Sequence, residues 1–184
     1  MEQVALRARA RHAASNWLIL TDCFNAFNTA KRTAVLAEAA TCVPALTPFI
    51  AKCHGERPAP LLFQMGSGER RKIECSSGVQ QGDAMGPALF FMPLLTVLKR
   101  IREEFEARGV EAFAYLNDIS IDISEITPET VKVVPFLQHE LCELGIAINP
   151  SKTVALPPKG HVPTPEEIAL QGGIGVRIAE GGAG

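Results

Sequence analysis

Apolar and polar positions follow two periods along the chain, and the changes of period divide it into elements. Residues 17–22, WLILTD, form an unbroken apolar run closed by an acid. That is the pattern of a buried strand with Asp22 at its tip. Helices are expected from Thr29 to Ala40 and from Pro44 to His54, the second stopped by Gly55. Two β-rich runs, 59–65 and 70–76, flank the turn sequence GSGE and predict a hairpin. The glycine-rich segment 76–87, SSGVQQGDAMGP, opens a long helix from Pro87 to Ala107, with proline in the first turn. Leu94, Leu95, Leu98, Ile101 and Phe105 of that helix form an apolar stripe suited to the back of a sheet.

Residues 111–124, EAFAYLNDISIDIS, predict a second hairpin. It turns at Leu116-Asn117-Asp118, because Asn and Asp tolerate turn geometry. Thr127-Pro128-Glu129 predicts a helix start, with Thr127 as cap and proline at the first helical position, and Gly145 ends the helix after Leu144. IAINPSKTVAL, 146–156, reads as strand, turn and strand. A Pro-rich stretch follows at 157–165, then a Gly-rich tail with room for one more short hairpin. Hairpins interleaved with helices imply an α+β layer, an antiparallel sheet with helices packed on one face.

Composition narrows the class. The 184 residues suffice for one domain with a real core, and 47% apolar with 21% charged residues matches soluble globular proteins. No run of about 18 uncharged apolar residues exists, so no membrane span is expected. The first residues carry Arg7, Arg9 and Arg11 but no apolar core of a secretory signal. An intracellular, reducing location is therefore expected. The five cysteines lack CxxC or Cys/His ligand spacing and read as small hydrophobes. A net charge of −2 is not the basic excess of a typical nucleic-acid binder. Arg70, Arg71 and Lys72, and Lys99, Arg100 and Arg102, form local basic patches that also read as solvated faces.

Two acids stand out. Asp22 ends a predicted strand and Asp118 lies in a predicted tight turn, positions that meet at one sheet edge. Two-metal phosphoryl transfer needs such carboxylates to hold two hard cations about 3.5–4 Å apart. Spacing alone favours a plainer reading, with Asp22 capping the next helix and Asp118 a simple turn residue.

Four segments in order change that weighting: LTDCFNAFNT at 20–29, SSGVQQGDAMGPALF at 76–90, AYLNDI at 114–119 and LGIAINPSKT at 144–153. Together they resemble the motifs of reverse transcriptases, most closely the non-LTR retrotransposon type, and GVQQGD before an apolar helix is the most specific. The resemblance implies a polymerase palm over residues 16–156, after an N-terminal extension at 1–15 and before a Pro/Gly-rich tail at 157–184. Fingers and thumb are expected to be largely absent. It implies a template–primer and dNTP as partners and two Mg²⁺ or Mn²⁺ ions as cofactors.

By resemblance, Asp22 and Asp118 are metal ligands, and the Cys23 carbonyl assists. Phe27 lies under the incoming sugar, Gln81 and Gly82 under the nascent base pair, and Tyr115 beside the metal hairpin. Lys152 approaches the pyrophosphate leaving group. Each has a plainer alternative: a core aromatic for Phe27, a loop for Gln81 and Gly82, a strand-core residue for Tyr115, a solvated lysine for Lys152. The chain also departs from the pattern. Asn117 occupies the first aspartate position of the Tyr-x-Asp-Asp hairpin, and Ala84 stands where proline is usual. Loss of one carboxylate predicts impaired chemistry, and Asp122 lies too far along its strand to substitute. The competing expectation is a non-catalytic retroelement remnant that binds nucleic acid weakly at most. An RNA-recognition motif is disfavoured by the single Tyr and single Trp.

Overall fold

The apolar run becomes strand β1, Trp17–Phe24, in which every residue except Phe24 is buried. A strand covered on both faces belongs at the centre of a sheet, and β1 has neighbours on both sides. β5 (Asp118–Ile123) pairs along one edge, with β4 (Val110–Tyr115) beyond it. β7 (Val154–Leu156) and the short β6 (Ala147–Ile148) pair along the other. These pairings are antiparallel, and β8 (Arg177–Ile178) adds a parallel strand outside β7. This computed structural model describes residues 15–55, 61–74, 76–79 and 82–179. The chain forms two compact units, one of residues through Phe24 together with those from Leu94, the other Asn25–Pro93.

Register decides what each sheet face carries. Opposed residues on antiparallel strands point to the same side, and successive residues alternate. Ile19 opposes Ile121, and Thr21 opposes Ile119. Ile19, Ile119, Ile121 and Ile123 are at most 1% exposed, and each such side chain contributes roughly 1.5–3 kcal/mol by leaving water. Leu94, Ile101 and Phe105 of the expected stripe are buried with Val97, whereas Leu95 is exposed and Leu98 half-buried; Val133, Leu137 and Leu141 of the helix Val133–Glu143 are buried at helical spacing. The alternate set places Leu18 opposite Asp122, Leu20 opposite Ser120, and Asp22 opposite Asp118. Leu18 and Leu20 pack against Val154 and Leu156, and the acids lie on that same side. The expected α+β palm-like layer, mostly antiparallel and with helices, is borne out.

The second unit contains α1 (Ala26–Thr29), α2 (Arg32–Cys42) and α3 (Thr47–His54), the hairpin of β2 (Leu61–Gln64) and β3 (Arg70–Ile73), and the start of α4 (Gly86–Phe105). The helix expected from Thr29 to Ala40 is thus two, because Ala30 leaves helical geometry (ψ 130°) between them.

Three further expectations are corrected. The β4–β5 turn has only two residues, Leu116 and Asn117, so Asp118 is the first residue of β5, not part of the turn. Leu116 takes a positive φ of 57° there. The helix after Thr127 opens as a 3-10 turn, Thr130–Lys132, before α5 (Val133–Glu143); its N-cap is Glu129, so Thr127 and Pro128 both precede the helix, although the Thr127 hydroxyl accepts from Thr130 N (3.2 Å). In the tail, where a short hairpin was expected, the chain forms α6 (Pro165–Gly173) and β8. α6 carries a complete capping box of Thr164 and Glu167. Among the described residues, no helix is long and apolar enough to cross a membrane.

Candidate active site

Register sets three side chains in a row across β4, β5 and β1: Tyr115 opposes Asp118, and Asp118 opposes Asp22. Directly opposed positions place the β-carbons about 4.5–5.5 Å apart, so the two acids are neighbours on one face. Tyr115 is 66% exposed, which rules out a strand-core tyrosine. Asp22 is buried, yet both its carboxylate oxygens are engaged. Asn117 Nδ2 donates to Oδ1 at 2.9 Å, and Lys152 Nζ donates to Oδ2 at 2.8 Å. Asp22 is therefore not a helix cap; the residue preceding α1 is Asn25.

Lys152 is delivered by a rigid turn. The Asn149 side chain accepts from Ser151 N (3.1 Å) and Ser151 Oγ (2.7 Å), an Asx turn before proline. Asn149 N donates to the Asp22 carbonyl at 2.8 Å, which fixes the turn to β1 beside the acid. The Asp22 carboxylate, by its hydrogen bond and then its charge, holds the Lys152 ammonium above the usual lysine range, and Asp118 adds to this. Cys23 is buried, and burial, reinforced by the charges of Asp22 and Asp118, pushes its thiol up to about 12. Asp122 shares the face of Asp118 but stands four residues along, roughly 13 Å at strand rise. It is buried and accepts from Asn16 Nδ2 at 2.6 Å.

The second unit carries the GVQQGD loop. Gly78 N donates to the Ala30 carbonyl (3.0 Å) and Val79 N to that of Phe27 (2.7 Å). Gly78 has φ +68°, and a Cβ there would lie 2.3 Å from the Phe27 carbonyl oxygen, so only glycine fits. The buried Arg32 guanidinium donates to the carbonyls of Gly78 (2.9 Å), Ser77 (3.4 Å) and Gly55 (3.4 Å). At the far end of the loop, Asp83 accepts from Met85 N (2.9 Å) and pairs with His54 Nε2 (2.9 Å). Phe27 is half-buried and stacks on Phe90 with ring centroids 4.4 Å apart. Gly82 has φ +91° and open space around its α-carbon. Gln81 lies outside the described residues.

Two opposed acids and a glycine-bearing loop before a long helix do not by themselves name a family. Sequence comparison decides the family, since the profile of reverse transcriptase (RNA-dependent DNA polymerase) matches residues 1–163. The chain belongs to the reverse transcriptase family. A curated relative, the retrotransposable element SLACS 132 kDa protein of Trypanosoma brucei gambiense, is 30% identical over 165 residues. The match covers 85% of this chain and 13% of that protein. The chain thus spans a small part of that relative's length. Among solved structures, apo telomerase from Candida tropicalis aligns with TM-score 0.63 and 14% identity, over 84% of this chain and 32% of that one. Telomerase of the same organism in complex with a TWJ fragment of telomeric RNA aligns with TM-score 0.64 and 16% identity, over 84% and 29%. At such identity the likeness is one of fold.

Sequence reasoning picked out both acids and Lys152 of this reverse transcriptase domain, but not the bonds that join them. It missed Arg32, His54 and Asp83, single polar residues with no periodic signal. The Asn-Pro pair at 149–150 was the one available clue to the turn that carries Lys152.

Proposed function

We propose that this reverse transcriptase domain carries the palm site of an RNA-directed DNA polymerase. That chemistry transfers deoxynucleotides to a primer by two-metal phosphoryl transfer; this copy performs it weakly or not at all while still able to engage nucleic acid. The observation that carries the reading is the Asn117 amide on Asp22 Oδ1. Where the family pattern has a carboxylate that shares a cation with Asp22, this chain has a neutral group that donates a hydrogen bond to it.

Reverse transcriptases generally use divalent metal ions, and two such ions do not fit the donor set here. Asp22 and Asp118 supply two negative charges and Lys152 returns one positive charge, so the cluster has net −1 against a load of +4. Asp122 is buried and bonded elsewhere. Among the described residues, no group of three or more His, Cys, Asp or Glu side chains is placed to hold a metal. Losing one electrostatic group aimed at the reacting centre costs about 10²–10³ in rate. The nucleotide-side assignments of Phe27, Gln81, Gly82, Tyr115 and the Cys23 carbonyl belong to the same proposal, as do template–primer and dNTP as partners.

The test is primer extension on an RNA template with dNTPs and Mg²⁺ or Mn²⁺, comparing the chain with Asn117→Asp. No extension is expected from the chain as it stands, and a rise of about 10² or more from the variant. Robust extension by the unaltered chain would sink the reading. Gel-shift binding of the template–primer, reduced by salt, separates retained binding from lost chemistry.

A further inference from the structure

We infer that Lys152 serves as the resident counter-ion of the Asp22–Asp118 pair, and that its ammonium, rather than the Asn117 amide, keeps a single divalent cation off these carboxylates. The inference rests on the reading of Asp22 and Asp118 as the domain's metal-binding acids.

The two donors on Asp22 differ in kind. An amide has an oxygen as well as an NH₂, so rotation about its terminal bond turns Asn117 from a donor into a neutral oxygen ligand. A lysine ammonium has three donors and no acceptor, so it can only compete with a cation. Asn117 therefore removes anionic charge, whereas Lys152 occupies and neutralises what remains.

Geometry makes the competition persistent. A surface ion pair between mobile side chains is weak, but here the Asp22 side chain is only 10% exposed. The lysine rises from the turn Pro150–Lys152, whose N-cap residue Asn149 donates to the Asp22 carbonyl. Asp22 is thus largely shielded from water, and the ammonium reaches it from a turn whose cap is bonded to β1. A buried carboxylate needs partners, and in the absence of cations this pair of donors supplies them. Lys152 itself is half-exposed, with 55% of its side chain accessible, so its substitution leaves the core intact.

The experiment is Mn²⁺ titration followed by the electron paramagnetic resonance signal of the free ion. It uses the full chain and the variants Lys152→Gln, Lys152→Arg and Lys152→Gln combined with Asp22→Asn. Lys152→Gln should bind one Mn²⁺ at least about tenfold more tightly than the unaltered chain, as removal of one positive charge a few ångströms from a dication predicts even with strong solvent screening. Lys152→Arg, which keeps the charge, should show no gain, and the double variant should lose it. Equal Mn²⁺ affinity in Lys152→Gln and the unaltered chain overturns the inference, as does a gain that survives Asp22→Asn. Circular dichroism and melting of each variant confirm that a folded protein is titrated. The outcome is independent of primer extension: polymerisation by the unaltered chain would remove the claim of impairment and leave the Lys152 measurement to be read on its own.

Discussion

Replacing Asn117 by aspartate should destabilise the domain in the absence of metal, for two separable reasons. The first is loss of the 2.9 Å hydrogen bond from Asn117 Nδ2 to Asp22 Oδ1; a bond to a charged acceptor contributes about 1.5–3 kcal/mol. The second is repulsion between the new carboxylate and Asp22. Two like charges about 4 Å apart repel by about 1 kcal/mol in water and about 4 kcal/mol near a protein surface. Asn117 is half-buried and Lys152 is close by, which favours the lower part of that range. The sum is about 3 kcal/mol in EDTA at neutral pH, whereas Asn117→Ala should lose the first part alone. Crowded anions raise each other's folded-state pKa, so the repulsive part is full above those values and disappears below the unfolded carboxylate range of about 4. Urea denaturation followed by the fluorescence of Trp17, the single tryptophan and a buried one, measures both variants. Mn²⁺ should restore part of the loss in Asn117→Asp and none in Asn117→Ala, since binding to the folded form stabilises it by mass action. An Asn117→Asp variant as stable in EDTA at neutral pH as Asn117→Ala would refute the crowding of acids on which the site description depends.

Three other consequences can be checked on the unliganded protein. Cys23, with its thiol pushed up to about 12 by burial and neighbouring acids, should resist alkylation at pH 8 while the exposed Cys42, Cys53 and Cys142 react; mass-spectrometric mapping showing Cys23 modified as fast as Cys42 would contradict its placement. Burial alone would raise the Glu167 pKa, but its bonds with Thr164 and His161 outweigh burial and lower it. A depressed folded pKa gives stability that is present above the unfolded value and lost as pH falls through the folded one, so Glu167→Gln should cost about 1 kcal/mol at pH 7 and little below pH of about 4; equal cost at both would count against the capping box. Gln171 is fully buried with neither amide atom hydrogen-bonded among the described residues, so Gln171→Met should raise the melting temperature by relieving a penalty of about 1–3 kcal/mol, and a lower melting temperature would mean that the amide has a partner after all.

The fold was legible where one residue pattern repeated over several positions. The apolar run 17–22 and a long apolar-faced helix leave little choice of element, and Asp22 followed from the end of that run, although the strand continues to Phe24. Asp118 was placed one position wrong because a two-residue turn and a three-residue turn share the sequence Leu-Asn-Asp; strand register, set by Ile119 and Ile121 facing the core, decides between them. α6 escaped because its start is signalled by Thr164 and Glu167, a capping pair, while most of its residues are solvent-exposed and lack an apolar stripe. Lys152 was found by motif, but its partner could not be: the ion pair depends on β6 and the turn after it lying against β1, a contact between residues 130 positions apart in the sequence, Asp22 and Lys152.

Asn117 and Lys152 are best understood together. Three acids meeting at one sheet edge are held against their mutual repulsion, and only bound cations relieve it, so such a site destabilises the fold when empty. Asparagine at position 117 carries no charge and donates a hydrogen bond to Asp22. With fewer anions left, one ammonium is enough to pair with the buried acid, and Lys152 becomes its principal charged partner. An uncharged hydrogen-bond donor at this position therefore strengthens the unliganded sheet. The strand register and the buried isoleucines act on stability directly, through the core.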